Sequence, residues 1–332
     1  TQGLLGAALS QSIANKKETR IATGVGCFAG IIADADILIS SASDSMLNIE
    51  LHRHFSHSIF FVPLGALIAA LILWPVLQRF FNTQPLTFKR LYIFCLLGYS
   101  LSGFIDACTS YGTHLLWPLN DERITFHLIS IIDPIFTGAL MIAVIMAWRK
   151  HRPRIAHIGL LLCAGYLLLG LLQLNRATDL AMELASSRQH DVEQLVVKPS
   201  LGNNLVWRST YIANDTIYVD AVRAGITENK IYPGSSVPLF VPERDAMGIP
   251  KDSVLYSDIL RFKKFSNGFI AMEPGKNDIL GDMRYSMLPN KIATLWGITL
   301  DKNKLDEHAY YGFYRASSPD GRKNYISMIL GK

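Results

Sequence analysis

The chain has 332 residues, of which 50% are hydrophobic and 18% are charged, and its mean hydropathy is +0.23. Soluble domains of this size rarely have a positive mean hydropathy, so the composition indicates membrane-spanning segments. The net charge of +5 is modest, and the basic residues form no stripe of the kind that nucleic-acid binding requires. The four cysteines lie in or beside apolar runs without CxxC spacing, which excludes a disulfide framework and a zinc ribbon.

Six apolar runs precede residue 175. The first covers residues 3–14 and is too short for a full crossing, which takes about 20 residues. The five longer runs cover residues 21–39, 59–77, 91–107, 124–148 and 155–174. All five are long enough to cross the hydrocarbon layer when tilt is allowed for. A buried helical bundle in a soluble protein is the alternative, and five runs with bare apolar faces argue against it.

Basic residues predict the orientation of these helices. Clusters at residues 16–20, 79–90 and 149–154 fall in alternate loops, which the positive-inside rule places in the cytoplasm. The opposite loops, residues 44–57 and 109–123, would then face outward. We therefore expect a multi-pass protein of a bacterial-type inner membrane.

The composition changes after residue 175. Residues 176–190 predict a polar helix that leaves the membrane, and short alternating stretches follow, separated by Gly, Pro, Asn and Asp. These stretches cover residues 205–211, 216–222, 268–273, 282–287 and 309–315. The sequence thus predicts a membrane α-helical bundle over residues 1–175, with five spanning helices plus a short N-terminal helix. A small, mainly antiparallel β domain over residues 176–332 would follow, outside the membrane and outside the cytoplasm.

Histidines and carboxylates cluster at the predicted outer ends of the helices. The segment HRHFSHS at residues 52–58 lies between two apolar runs, and Asp34 and Asp36 close the run before it. Asp106 ends a further run, whereas Asp133 lies about nine residues, or about 13 Å, into the next. Burying such polar groups in a membrane costs free energy unless each has a specific partner. A shared metal ion would be such a partner, because imidazole and carboxylate together suit Zn, Mn or Fe. Solvated loop histidines are the plain alternative.

The predicted metal ligands are Asp36, His52, His57 and Asp106. Asp34 and Asp36 diverge by about 200° on an ideal helix, so both can face one ion only if the helix unwinds there. Otherwise one of them lies behind the other's site, and we assign Asp34 as the partner of the ligand Asp36. A hydrolytic site needs about three or four protein ligands and one open position for water. The same water could attack an ester or an amide.

The positions of Arg53 and Asp133 in the sequence suggest a role for each residue. Arg53 lies beside the ligands and is suited to neutralise a phosphate, or to pair with Asp34 or Glu50. Asp133 either orients a ligand histidine or makes a polar hydrogen bond at a proline kink. Asp34, Arg53 and Asp133 are therefore the catalytic candidates.

Several local patterns occur in a characteristic order. They are TQGLLG at residues 1–6, DAD at 34–36, HR and SHS within 52–58, DACTSYGT leading to LWP within 106–118, DP at 133–134, KPSLGN and WRS within 198–209, and YVDAVR at 218–223. In this order they resemble the YdjM/YfhP-type family of membrane-bound metal-dependent hydrolases over nearly the whole chain. The resemblance implies phosphoester hydrolysis, since the family is related by motif to zinc-dependent phospholipase C and P1-type nucleases.

The chain departs from the family at two positions. Gln2 and Ser102 stand where family members usually carry histidines that look like metal ligands. Gln2 could still coordinate through its amide oxygen, and His54 or His114 could substitute as auxiliary ligands. The departures leave open a catalytically inactive member that acts as a membrane scaffold or sensor.

In the C-terminal part, Arg208, Arg284 and Tyr285 resemble family positions and are candidates for binding a polar head group. A structural ion pair or a sheet-edge position is the alternative for each. Taken together, we expect a hydrolase with a divalent cofactor, zinc before Mn, Fe or Mg, acting on a lipid or a lipid-linked small substrate. A transporter that relays ions through its intramembrane carboxylates is a further alternative.

Overall fold

The computed structural model describes residues 1–80, 86–314 and 319–332. The chain forms two compact units, one of residues 1–39 and 51–171 and the other of residues 40–50 and 172–332. The first unit is helical and the second combines β-sheets with helices.

The helices of the first unit follow the apolar runs. In chain order the helices up to residue 187 are α1 Gln2–Ser12, α2 Thr19–Ile31, α3 Met46–Leu51, α4 Val62–Phe80, α5 Phe88–Ser100, α6 Ser102–Ala107, α7 Pro134–Lys150 and α8 Pro153–Ser187, with 3-10 helices at Ile32–Leu38 and Phe55–His57. Helix α8 continues from the first unit into the second and is about 52 Å long. The polar helix predicted at residues 176–190 is therefore the continuation of the last apolar helix.

Four helical segments of the described chain are long and apolar enough to cross a membrane. They are Thr19–Leu38, Val62–Arg79, Phe88–Ala107 and Pro153–Ser187. Leucines such as Leu161 and Leu168 are 72% and 64% exposed, as expected of side chains that face lipid. The helical N-terminal region is confirmed, but the count of five spans is not.

The unconfirmed span is the run at residues 124–148. Helix α7 begins only at Pro134, because the carboxylate of Asp133 accepts hydrogen bonds from the amides of Ile135 and Phe136 at 3.1 and 3.0 Å. An aspartate cap followed by proline at the first helical position is a helix start. Asp133 thus lies at the end of the helix, not nine residues inside it, and Pro134 makes no kink.

Glycines let the first helices of this unit approach closely. A Cβ atom on Gly6 of α1 would overlap main-chain oxygen atoms of Gly26 in α2 and Gly98 in α5. Small residues at helix crossings are characteristic of membrane bundles, where close packing replaces the hydrophobic effect. This crossing holds together the three helices whose ends carry the polar residues described below.

The second unit contains two four-stranded antiparallel sheets, each in sequential strand order. Their strands are β1 Gln194–Pro199, β2 Val206–Ala213, β3 Thr216–Ala224 and β4 Asn229–Pro238, then β5 Ile270–Met272, β6 Ile279–Asp282, β7 Trp296–Thr299 and β8 Tyr311–Phe313. Helices α9 Pro242–Asp245, α10 Val254–Phe265 and α11 Pro319–Leu330 complete it. The prediction of a small β domain is confirmed, although β1, β4 and β7 were not expected, and the predicted stretch at residues 282–287 overlaps β6 only at Asp282. Arg315, the end of the last predicted strand, lies outside the described residues.

Candidate metal centre

Three side chains from three separate elements meet in the first unit. Asp34 lies on the 3-10 helix after α2, His57 ends the 3-10 helix before α4, and Asp106 lies near the end of α6. The Nε2 atom of His57 is 3.2 Å from an oxygen of Asp34 and 3.2 Å from an oxygen of Asp106. One ligand atom from each residue lies within 4.8 Å of the other two, and we call this group the acidic centre.

Gln2 joins the acidic centre from helix α1. Its Nε2 atom donates to Asp106 at 2.7 Å and to Asp34 at 3.2 Å. Its Oε1 atom is buried and has no hydrogen-bond partner among the described residues. Since the oxygen and nitrogen of a side-chain amide are assigned from their hydrogen bonds, a cation between the carboxylates would favour the reverse orientation.

Asp36 lies behind His57, on the opposite side of the imidazole ring from Asp34. Its two oxygens lie 2.9 Å from Nδ1 of His52, 3.2 Å from Nδ1 of His57 and 2.7 Å from Oγ of Ser56. It also accepts a hydrogen bond from the main-chain amide of Arg53 at 2.9 Å. Asp36 therefore orients the histidine segment, as carboxylates commonly do behind metal-binding histidines.

The contacts of the two aspartates are thus the reverse of those expected from the sequence. We predicted Asp36 as a ligand and Asp34 as its partner, but Asp34 is the one beside Asp106. The chain tightens here from an α-helix into a 3-10 helix, which has about three residues per turn. The two carboxylates lie on either side of His57. His52, also a predicted ligand, contacts Asp36 and lies outside the acidic centre.

Arg53 pairs with the acidic centre. Its Nε atom is 3.1 Å from Asp106, and its guanidinium lies over the ring of Tyr111 at 5.1 Å. Arg53, Asp34 and Asp106 line one cavity of about 190 Å³, together with Gln2. A cationic side chain therefore shares a pocket with the carboxylates, and its ion pair is with Asp106, where the sequence suggested Asp34 or Glu50.

The charge of His57 follows from its neighbours. Burial by itself would lower the pKa of His57, but hydrogen bonds with Asp106, Asp34 and Asp36 outweigh burial and raise this pKa to about 10. The imidazole is therefore protonated at neutral pH in the absence of a cation. A metal ion would take the place of this proton, because a ligand histidine is neutral.

Asp133 lines the cavity without reaching a histidine. Besides capping α7, its carboxylate accepts a hydrogen bond from the hydroxyl of Tyr166 at 3.0 Å. Of the two roles that the sequence left open, the contacts favour structural hydrogen bonding at the proline over the orientation of a ligand. Asp36 fills the orienting role instead.

Ser102 does not take up the function of a histidine. It lies one helical turn before Asp106 on α6, and its hydroxyl donates to the carbonyl oxygen of Tyr99 at 2.8 Å. His114 lies away from the acidic centre and contacts Asp121. Burial, with a contribution from the charge of Arg123, lowers the pKa of His114 to about 4.

Two of the predicted head-group residues, Arg208 and Tyr285, are buried in the second unit, and Arg284 is partly buried. Arg208 is 2% exposed and donates to the carbonyl oxygens of Met283 and Lys291 at 2.6 and 2.9 Å. Arg284 forms a bidentate ion pair with Asp282, in which two guanidinium nitrogens lie 2.9 and 2.7 Å from the two carboxylate oxygens. The ring of Tyr285 is also buried. These contacts favour the structural alternative for all three residues.

Sequence reasoning missed Asp121 and the structural partners of the histidine segment. The hydroxyl of Tyr99 donates to the carbonyl oxygen of Ser56 at 2.6 Å, and Thr109 accepts a hydrogen bond from Arg53 at 3.3 Å. Thr109 and Tyr111 belong to the TSYG pattern, so their position beside the Asp106 motif was the available signal.

The first unit contains apolar helices long enough to cross a membrane, and the polar residues of the acidic centre lie at the ends of these helices. Together these features define a multi-span membrane protein. The sequence profile of the family described as YdjM inner membrane protein matches residues 1–177, and the chain belongs to this family. No curated protein and no solved structure matches the chain. The match ends within α8, before the first strand of the β domain.

Proposed function

We propose that this protein is a membrane-bound, metal-dependent hydrolase that cleaves a phosphoester in a lipid or a lipid-linked substrate. One observation carries the proposal: two carboxylates and an imidazole from distant parts of the chain present ligand atoms within 4.8 Å of one another. Two of these three residues, Asp34 and Asp106, line a cavity with Arg53. The site would face away from the cytoplasm, because the positive-inside rule places the basic residues at 16–20 and 79–90 in the cytoplasm. With α7 as a fifth crossing, the β domain would also lie outside the cytoplasm.

The donor set fits a divalent ion. Ligand atoms around a tetrahedral ion with bonds of about 2.0–2.1 Å lie about 3.3 Å apart. The two separations from His57 Nε2 are 3.2 Å each. The unpartnered Oε1 of Gln2 would become a fourth donor if its amide turned over. Zinc suits a mixed set of carboxylate and imidazole, and the share of oxygen donors also suits Mn, Fe or Mg.

The chemistry assigned to such an ion is to supply a nucleophilic water at neutral pH and to draw charge from the phosphoryl oxygens. The protein residues would supply the rest. Arg53 would neutralise the bound phosphate, for which a planar guanidinium is well suited. Asp36 would hold the ring of His57 in place through Nδ1, and Asp34 and Asp106 would hold the ion through their oxygens.

A second candidate function rests on Gln2. Here the amide bridges Asp34 and Asp106 at 3.2 and 2.7 Å without any cation, which is a stable arrangement in its own right. With Ser102 also in place of a family histidine, this arrangement supports an inactive member that serves as a membrane scaffold or sensor. Ester or amide hydrolysis remains the alternative chemistry for the same centre.

The test combines metal content with turnover. The full chain is purified in mild detergent, its bound metals are measured, and hydrolysis of a chromogenic phosphodiester is compared with that of a chromogenic carboxylic ester. We expect stoichiometric divalent metal and phosphodiester turnover, both reduced in His57→Gln. Asp179→Asn, which changes an exposed carboxylate on α8, is the control that should change neither.

The outcomes separate the candidates. Metal binding that depends on His57 without any turnover supports the scaffold. Ester turnover without phosphodiester turnover supports the alternative chemistry. Metal content that is unaffected by His57→Gln overturns the assignment of the acidic centre.

A further inference from the structure

A second group of potential metal ligands lies in the first unit, apart from the acidic centre. It consists of His54, His114 and Asp121, whose ligand atoms lie within 4.8 Å of one another. The Nε2 atom of His54 is 3.0 Å from an oxygen of Asp121, and Nδ1 of His114 is 3.4 Å from the same oxygen. We call this group the histidine site.

The main chain builds the histidine site from two segments. The amide of His114 donates to the carbonyl oxygen of Arg53 at 3.1 Å, and the hydroxyl of Thr113 donates to the same oxygen at 2.8 Å. Thr113 also pairs with Ile124 in an isolated β-bridge, which closes the loop that carries Asp121. The three side chains therefore meet because backbone hydrogen bonds join their segments, and their meeting does not depend on the side chains themselves.

The separations match those required by an ion. Ligand atoms around a tetrahedral zinc lie about 3.3 Å apart, close to the observed 3.0 and 3.4 Å. The histidine rings are 4.4 Å apart between centroids. Two histidines and one carboxylate are a ligand set used by divalent zinc and iron.

A third group of potential ligands forms an ion-pair network with an arginine. Asp44, Asp258 and His308 also bring ligand atoms together, in the second unit. There the guanidinium of Arg261 lies 2.9 Å from Asp44 and 2.7 Å from Asp258. An arginine thus occupies the position of a cation in that group, which is accordingly a structural ion-pair network.

We propose that His54, His114 and Asp121 bind a divalent transition-metal ion of the zinc class, separately from the acidic centre. Three protein ligands leave one position for water. His54 follows Arg53 directly and precedes His57 by three residues. A bound ion would therefore fasten the histidine segment to the loop that carries Asp121, and would stabilise the segment on which the acidic centre depends.

The test measures zinc in the full chain, purified in detergent and stripped of metal beforehand. Asp34→Asn combined with Asp106→Asn removes the acidic centre, and this variant should retain one equivalent of zinc. Adding Asp121→Asn should weaken the binding of that equivalent by at least about a hundredfold, because even partners behind the ligands contribute about 10–100-fold. Cobalt substituted for zinc should give an absorption spectrum with two nitrogen ligands.

His157→Gln, which changes an exposed histidine on α8, is the matched control and should leave the zinc unchanged. Asp121 has a side chain that is 58% exposed, so its replacement should leave the fold intact, as circular dichroism can check. The proposal is overturned if the variant lacking the acidic centre binds no zinc while folding normally, or if Asp121→Asn and His114→Gln leave its zinc affinity unchanged. Neither result affects the acidic centre, whose own test is the His57→Gln variant.

Discussion

Replacing Asp36 and Asp34 one at a time tests the exchange of roles between these two carboxylates. Asp36→Asn keeps the size of the side chain but removes the charge that faces His52, His57 and Ser56. Because Asp36 orients the ligand histidine from behind, we expect metal affinity to fall about 10–100-fold, or about 1.4–2.7 kcal/mol. Asp34→Asn removes an oxygen from the acidic centre itself and should weaken binding further.

The assay is a competition titration of the metal-stripped full chain with zinc or manganese, using a chelating dye. The Asp121→Asn background removes the histidine site, so that only the acidic centre contributes. Thermal unfolding in the same detergent shows whether each variant is folded, and Asp179→Asn is the control for loss of a carboxylate. A greater loss of affinity in Asp36→Asn than in Asp34→Asn would refute the assignment and restore the ligand set expected from the sequence.

Three further predictions concern different parts of the chain. Gln2→His should tighten metal binding by about tenfold or more, because an imidazole replaces a weakly coordinating amide beside Asp106; unchanged affinity in the same titration would contradict this. Gly6→Ala should lower the melting temperature of the protein, because the added Cβ atom meets neighbouring backbone. Gly165→Ala is the control and should leave the melting temperature unchanged or raise it, because its added Cβ atom meets nothing within 4 Å. Equal shifts of the melting temperature in the two variants would be evidence against the helix crossing. Lys198→Met should stabilise the second unit by about 1–3 kcal/mol at pH 7, since burial holds the pKa of Lys198 well below its usual value.

The Lys198 prediction has a defined dependence on pH. The folded-state pKa is lowered, so between that value and the ordinary lysine value of 10.5 the unfolded chain binds more protons than the folded one. The stability of the wild type should therefore rise with pH across this window, and Lys198→Met should flatten the rise. A melting temperature below that of the wild type at pH 7 would show instead that the buried amine, which lies 2.9 Å from the ring centroid of Tyr285, stabilises the fold.

The fold was predictable where it depends on composition along a continuous stretch. Four of the predicted spans and the change to a β domain follow from apolar length and from alternation, which are local properties. The fifth run is not confirmed as a span, because helix α7 begins only at Pro134 and has 17 residues, and hydropathy does not register such a helix start. Asp133 followed by Pro134 carried that signal, and the run was interpreted by its apolar content instead.

The candidate site was predictable as a list of residues but not as an arrangement. The sequence placed Asp34, Asp36, His57 and Asp106 together because all lie at the same ends of apolar runs. Which aspartate lies beside Asp106 depends on contacts between segments that are distant in the chain, and no periodicity signals these contacts. Asp121 was missed because it lies 67 residues from His54, in a loop without a recognisable motif.

The sequence by itself determined that this chain carries membrane-spanning helices, that polar residues lie at the ends of those helices, and that a β domain follows. These features were predictable because hydrophobicity and turn residues act over short distances along the chain. Only the tertiary structure decided which atoms meet: Gln2 with Asp34 and Asp106, Asp36 behind His57, and His54 with Asp121. Those contacts depend on helix crossings at Gly6 and on backbone hydrogen bonds between distant loops. The physical reason is that Asp34 and Asp36 lie at the same distance from His57 on opposite sides of its ring, and packing between distant segments, which residue type alone does not encode, decides which of them lies beside Asp106.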